Sequence, residues 1–447
     1  LRNIIPLIIV FIVLLLSAVF AEWQYDEAWT YQSVVDISVV DVLLYHKYNI
    51  ANNHVINSLY FQLLQWLGVK HVFFYRLISL FSYWFYSYYV FRLLGINKDN
   101  KLKWYHLLLF LMPYMIFFAS GRGYGLAIAA FMASLFYCRQ FMNSRLPKNL
   151  FLFMLFGSLA SVAIFSFVLP FMAMLLIMAW IVGKQLLNKP INLLALAIAF
   201  FTILYVYVHG KIINTADTHI VGTDYFFKNG MLSGIVTFIC LYDYLPHTVF
   251  IAYKYAYLIT FALAVVTILY RHDIHHKITI AAWTIAIMIV LHFSLGAKYP
   301  LYRSVSYLLP LLYLPICHAY HRHKNKLVAL HLCVMLIIGF TNIYMIIKNS
   351  TSADTEDVMA YAAKNRLQLV VSDNFNPNID LYNKLYHNDS IKIIRFETPD
   401  TDSLFLQSLK TQPLVFCDTF TIAGTNTSQN FEPVYTFGTK ILLRNRE

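Results

Sequence analysis

Carboxylates are scarce in this chain. Of 22 Asp and Glu among 447 residues, only ten lie in residues 1–350, and twelve crowd into 351–447. The long apolar runs of the first part contain none at all. Charged residues make up 13% of the chain against 59% hydrophobic, a balance that excludes a soluble globular class and indicates a polytopic membrane protein. Cysteine is also sparse. Cys138, Cys240, Cys317, Cys333 and Cys417 are scattered, with no Cys-x-x-Cys and no Cys/His metal spacing, so neither a disulfide framework nor a zinc module is expected. In the tail from Thr351 no Gly-rich phosphate loop occurs, which removes nucleotide chemistry of that type there. No inverted repeat of broken helices appears, which weighs against a secondary transporter.

What is present is a series of apolar stretches. A membrane span needs about 20 apolar residues. Eleven are expected, at 4–21, 72–91, 104–119, 123–141, 149–165, 166–183, 191–208, 248–270, 278–295, 301–319 and 327–347. The first is read as a retained signal anchor, because Ala21-Glu22-Trp23 is a poor cleavage site. The net charge of +12 comes from short loops between spans, not from a nucleic-acid-binding face. Basic loops around Lys101, Arg145, Lys184, Arg271 and Lys324 alternate with loops that are acidic or glycine-rich. The positive-inside rule then places the N-terminus in the cytoplasm and loops 22–70, 120–123, 209–247 and 296–300 outside. The tight pair 149–183 is read as two spans, since one span would invert every later loop.

Two domains follow. Residues 1–350 form an all-α transmembrane domain of about 11 helices, with interfacial helices in the first external loop. His54 to Leu67 is too short to cross, and its polar residues His54, Ser58, Gln62 and Gln65 recur on one helical stripe. Val34 to Leu44 is a second, weaker candidate. Residues 351–447 are polar and acidic, and read as a small external α/β domain. Its strands are expected at Leu369–Ser372, Ile391–Phe396, Leu414–Cys417 and within Val434–Leu443, with helices between them.

Four elements on the external side carry chemistry. Asp26 and Glu27 emerge just after the first span. A carboxylate within hydrogen-bond reach can take a proton from an attacking hydroxyl, and a neighbouring pair can also share a cation. Asn53-His54 opens the interfacial helix, whose N-terminal N–H groups suit an anion. Ser120-Gly121-Arg122-Gly123-Tyr124-Gly125 makes a glycine turn between two spans. Lys298-Tyr299-Pro300-Leu301-Tyr302-Arg303 lies at the last external turn and puts a guanidinium just inside a span. Each has a plainer reading. The acids suit an ordinary external loop, His54 a solvated cap, and Arg122 and Arg303 side chains that reach lipid headgroups.

Taken together, these elements resemble the GT-C superfamily of membrane glycosyltransferases, in the protein O-mannosyltransferase and aminoarabinose transferase branch. The matching residues are Asp26-Glu27, Asn53-His54, Arg76-Leu77 and Tyr302-Arg303, over residues 1 to about 320. The resemblance implies transfer of a sugar from a polyprenyl-phosphate carrier to a glycan, lipid or protein acceptor at the external face of a bacterial inner membrane. It implies Asp26 and Glu27 as catalytic carboxylates, Asp26 being the base of an inverting transfer. His54, Arg122, Arg303 and Lys298 would bind the donor phosphate, and Asn53, Tyr124 and Tyr302 would line the cavity. The chain departs from the family at the third external element, where Arg122-Gly123-Tyr124-Gly125 has no acid. A second acid would then be Glu27, Asp217, Asp224 or Asp243. The metal question stays open; a divalent cation, if used, would sit on Asp26 and Glu27. The competing classes are a transporter or lipid flippase, and a scaffold whose tail binds partners.

Overall fold

The computed structural model describes most of residues 4–350, apart chiefly from 48–52, 97–100, 217–234, 240–246 and 271–274, and in the tail mainly five strands. Thirteen α-helices are used below: α1 Ile5–Phe20, α2 Tyr25–Val34, α3 Val39–Leu44, α4 Val55–Trp66, α5 Val72–Leu94, α6 Tyr124–Ser144, α7 Pro147–Ala163, α8 Val168–Val182, α9 Pro190–Ala216, α10 His247–Tyr270, α11 His275–Leu295, α12 Leu308–His323 and α13 Lys326–Ser350. Among the described residues, five helices are long and apolar enough to cross a membrane: four within α6, α9, α10 and α13, and Phe165–Val182, which joins a 3₁₀ turn to α8. Three shorter apolar helices, Ile5–Phe20, Pro147–Ala163 and Ile280–Leu295, accompany them. Their outward residues include Trp180, Phe200, Phe201, Val266 and Phe293, all exposed, as side chains facing hydrocarbon would be.

The chain divides into two compact units that do not follow sequence order. The first comprises Leu1–Ala18, Ile37–Tyr60 and Tyr75–Ile347; the second comprises Val19–Asp36, Phe61–Phe74 and Lys348–Glu447.

In the first unit, the tight pair expected at 149–183 is two helices. α7 stops at Ile164, whose extended backbone (φ −144°, ψ 115°) breaks the helix, and the short 3₁₀ turn Phe165–Phe167 leads into α8. Segment 104–119 differs from expectation. It is not one α-helix but two 3₁₀ helices, Trp104–Phe110 and Pro113–Phe118. Pro113 has no N–H to continue a helix through this point. A 3₁₀ helix rises about 2.0 Å per residue against about 1.5 Å for an α-helix, so this short segment covers a length that would need more residues in α form.

Long 3₁₀ runs bond their carbonyls poorly, and a loose carbonyl away from water is costly. Here neighbouring side chains supply donors. Tyr86 Oη donates to Leu109 O at 2.7 Å, Asn342 Nδ2 to Met112 O at 3.2 Å and Cys317 Sγ to Tyr105 O at 3.3 Å. α13 reaches this break through Gly339. A Cβ there would lie 2.7 Å from Leu111 Cβ and 2.9 Å from Leu111 O. Gly339→Val is therefore expected to lower stability by about 1–3 kcal/mol through overpacking. Thermal unfolding of the purified protein in detergent measures this.

In the second unit, α2 begins with a cap that its sequence supplies. The Gln24 N–H donates to Glu27 Oε2 at 3.0 Å, and both acids, Asp26 and Glu27, sit in the first helical turn where the helix dipole favours them. The polar stripe of α4 turns toward α2. Gln62 Nε2 donates to Val34 O at 3.3 Å and Gln65 Nε2 to Tyr31 O at 2.6 Å. Leu63, Trp66 and Leu67 are left exposed, so α4 keeps its polar side for the protein.

The tail strands are β1 Leu369–Ser372, β2 Ile393–Phe396, β3 Leu414–Asp418, β4 Phe431–Phe437 and β5 Lys440–Asn445, forming one sheet in the order β2-β1-β3-β5-β4. β1 runs parallel to β2 and β3, whereas β5 pairs antiparallel with β3 and β4. Parallel neighbours need long crossovers, and the chain length between these strands permits them. Of the helices expected at Asp354–Arg366 and Ile379–His387, the described residues Met359, Ala363, Lys364, Leu381, Asn383, Lys384 and Leu385 are helical, and Ser403–Lys410 lies outside the described residues.

Candidate functional site

In the first unit, the start of α4 and the glycine turn pack on each other. Gly123 has φ +73°, a left-handed conformation that suits glycine, and a Cβ there would meet His54 Cβ at 3.4 Å and Asn57 Cβ at 3.5 Å. Asn57 Nδ2 donates to Gly121 O at 2.6 Å and so holds the turn. Gly125 allows a second close approach, since a Cβ there would lie 2.8 Å from Phe117 O. Tyr124 stacks on Phe117 at 4.7 Å and meets the edge of the His54 ring at 5.1 Å. The Arg122 guanidinium lies 5.7 Å from the Tyr124 ring centre, and Arg122 is buried. A buried guanidinium on a ring face is not a side chain reaching for headgroups.

The other side of this region is built from α3, the 165–167 turn and the 302–305 turn. Tyr45 Oη donates to Asn53 O at 2.6 Å, and Asn53 Nδ2 to Val42 O at 3.1 Å, which fixes the residue just before His54. The Tyr45 ring packs on Phe165 at 5.4 Å. Ser166 Oγ donates to Ser304 O at 2.6 Å, tying the two turns together. Arg303 is exposed and stands on the 3₁₀ turn Tyr302–Val305, ahead of α12. It is thus not one turn inside a helical span, as the sequence suggests, because the helix begins only at Leu308.

His54 is where these pieces meet. It is buried, and its Nε2 has no hydrogen-bond partner among the described residues. Burial, then the charges of Arg122 and Arg303, hold its imidazole pKa well below the ordinary histidine range. The ring is therefore neutral at pH 7. Asn57 Oδ1 and Ser58 Oγ, in the next turn, are likewise buried without a partner among the described residues. Asn57 Oδ1 is an acceptor and Ser58 Oγ can donate, so of the two only the hydroxyl could serve an anion. The Asn-x-x-x-Asn spacing from Asn53 to Asn57 at a helix start is the one signal that marks the second.

The second unit holds the carboxylates. Glu27 is fully buried, with Oε2 accepting the Gln24 N–H. Asp26 is half-buried, and its carbonyl accepts the Thr30 hydroxyl at 2.8 Å. The two acids thus differ: Glu27 caps the helix, and Asp26 keeps more of its surface open. The sequence reading placed them in a loop. The Gln24-x-x-Glu27 spacing, a variant of the capping box, was the missed sign of α2.

Among the remaining candidates, Lys298 is half-buried, and the side chain of Tyr302 lies outside the described residues. Asp217, Asp224 and Asp243 also lie outside them. Arg76, part of the family-like pattern, is fully buried and donates to Ala18 O at 3.2 Å, where the end of α1 carries partial negative charge. No group of three His, Cys, Asp or Glu gathers as cation ligands among the described residues. A cation on Asp26 and Glu27 would have two carboxylates, one of them already bonded to the cap.

No family model matches the chain, and no curated protein matches it. The chain is similar in structure to ArnT from Cupriavidus metallidurans bound to undecaprenyl phosphate, at 10% identity and a TM-score of 0.43, over 99% of this chain and 98% of that one. It is similar to the apo state of the same protein at 9% identity and a TM-score of 0.43, over 99% of this chain and 97% of that one.

Proposed function

We propose that this chain is an integral-membrane glycosyltransferase that moves a sugar from a polyprenyl-phosphate carrier to a cell-envelope acceptor. The observation that carries the reading is a buried His54 Nε2, with no hydrogen-bond partner among the described residues, under the charge of Arg122 and Arg303. Such a cluster supports an anion-binding role, and a phosphate suits guanidinium groups. The helices described above give that phosphate a membrane setting, as a lipid carrier requires.

The roles divide by chemistry. Arg122, Arg303 and His54, with Lys298 nearby in sequence to Arg303, hold the leaving phosphate. Asn53 and Tyr124 shape the surroundings of His54, and Tyr302 is proposed as a further cavity residue. Asp26 takes the proton of the acceptor hydroxyl as that oxygen attacks the anomeric carbon, with inversion. Glu27 supports α2. The membrane is a bacterial inner membrane, with the N-terminus cytoplasmic and the tail 351–447 a soluble domain outside. ArnT, crystallised with undecaprenyl phosphate, is a precedent for the donor class.

Lipid analysis of a strain lacking the chain tests the reading. A polyprenyl-phosphate sugar should accumulate, and its head group names the donor. An unchanged lipid pool together with a defect in movement of a solute or lipid across the membrane would favour a transporter or flippase instead.

A further inference from the structure

The end of α12 carries a cluster that sugar transfer does not use, and all of it lies in the first unit. Tyr105 Oη and His321 Nδ1 are 2.6 Å apart, which ties the 3₁₀ helix Trp104–Phe110 to the last turn of α12. The rings of Trp104, Tyr105 and Tyr320 contact one another, with centres 5.5, 5.4 and 5.0 Å apart. Lys324 ends α12 in a left-handed conformation (φ 50°, ψ 35°), and its N–H donates to Tyr320 O at 2.9 Å. Its Nζ lies 5.1 Å from the centre of the Tyr320 ring and 5.2 Å from that of Tyr105. An ammonium over two ring faces is held in one place instead of sweeping through water. Lys103 precedes the 3₁₀ helix, and its N–H donates to His106 Nδ1 at 3.2 Å. His321, Lys103 and Lys324 all act electrostatically on buried His106, so these residues share one locality. Lys103, Trp104, His321 and Lys324 are exposed. From Val42 to Ile347 the described residues include no Asp or Glu; Asp99 and Asp273 lie outside them.

The setting is the end of membrane helices. α13, which starts at Lys326, is long and apolar enough to cross, so the turn before it sits at a membrane surface. Trp and Tyr rings gather at the depth of the headgroups. A basic pocket between helix ends at that depth suits an anionic headgroup. We propose that Lys103, His321 and Lys324 form a binding site for the phosphate of an anionic membrane phospholipid, beside the rings of Trp104 and Tyr320. The two lysines supply charge and N–H donors. With the Tyr105 hydroxyl donating to Nδ1, the neutral His321 ring carries its proton on Nε2, a third donor. A lipid held there bridges the 104–110 helix to the turn between α12 and α13, two pieces far apart in the chain. Binding to the folded chain alone then stabilises it by mass action. The site shares no residue with the region around His54.

The test is native mass spectrometry of the full chain in detergent, titrated with phosphatidylglycerol and with phosphatidylcholine of the same acyl chains. Lys324→Gly removes the ammonium and leaves the residue that best suits a left-handed backbone, so the end of α12 is kept. Lys103→Gln removes the other ammonium. Each should weaken phosphatidylglycerol binding about fivefold, the worth of one lysine near an anionic surface, and leave phosphatidylcholine binding as it was. Lys148→Gln removes an exposed lysine from the first turn of α7, in another basic loop, and should change neither. Without added phospholipid the melting temperature of Lys324→Gly should not fall. Added phosphatidylglycerol should raise it less than it raises that of the natural chain.

Equal affinity of the natural chain for the two lipids overturns the site, as does phosphatidylglycerol binding left unchanged in Lys103→Gln and Lys324→Gly. An equal loss in Lys148→Gln overturns it too, because a general attraction of basic loops to an anionic surface then accounts for the binding. Inorganic phosphate that displaces phosphatidylglycerol at equal concentration overturns the lipid as occupant.

Discussion

Asp26→Asn is expected to lower sugar transfer by about a hundredfold or more, because it keeps the side-chain shape and removes the basicity a general base needs. The protein should express and fold normally. Asp26 is half-buried, the exchange keeps its shape, and the bond from Thr30 to its backbone carbonyl is left alone. Glu27 is the contrast. Its carboxylate closes the cap of α2, so Glu27→Ala should cost about 1 kcal/mol or more of stability. Glu27→Gln, which retains an acceptor for the Gln24 N–H, should recover most of it. Turnover and melting temperature, measured on all three variants at matched protein levels, separate a base from a cap. Near-normal transfer by Asp26→Asn would remove it from the mechanism.

Arg303→Ala is expected to raise the apparent KM for the lipid donor about tenfold to a hundredfold, the loss of one charge-assisted hydrogen bond or pair of them. Arg303→Lys should restore only part of this, since an ammonium cannot grip a phosphate at two points. Arg303 is exposed on the 302–305 turn, and its charge acts on buried His54. If the side chain merely reached lipid headgroups, lysine would substitute fully and donor kinetics would not move. Rates at varied donor concentration for both variants decide the matter.

Helix positions were legible in the sequence because apolar length and charged loops are blunt signals. α4 and the split of 149–183 into α7 and α8 follow that pattern. The tail strands were legible too, from β-branched runs between polar segments. What the pattern could not distinguish was the kind of helix at 104–119. A buried segment is apolar on all sides whatever its period, and its 3₁₀ form depends on donors from Tyr86, Cys317 and Asn342, far away in sequence. Among the candidate residues, Asp26, His54, Arg122 and Arg303 stood out because charge is rare here. The sequence could rank these charges but not their burial. Arg122 lies on Tyr124 beneath the surface, whereas Arg303 stands outside its helix. Asn57 was invisible for the opposite reason, as one amide among many, until its bond to Gly121 gave it a place.

The most direct measurement follows the donor itself. Polyprenyl-phosphate sugars are extracted from a strain lacking the chain, radiolabelled in the sugar, and given to the full-length protein in nanodiscs with a cell-envelope fraction as acceptor. The account predicts that label leaves the lipid and enters the acceptor, with one free polyprenyl phosphate appearing for each sugar moved, and that Asp26→Asn stops both. Donor lipid left intact by the natural chain, or consumed equally by Asp26→Asn, would contradict it.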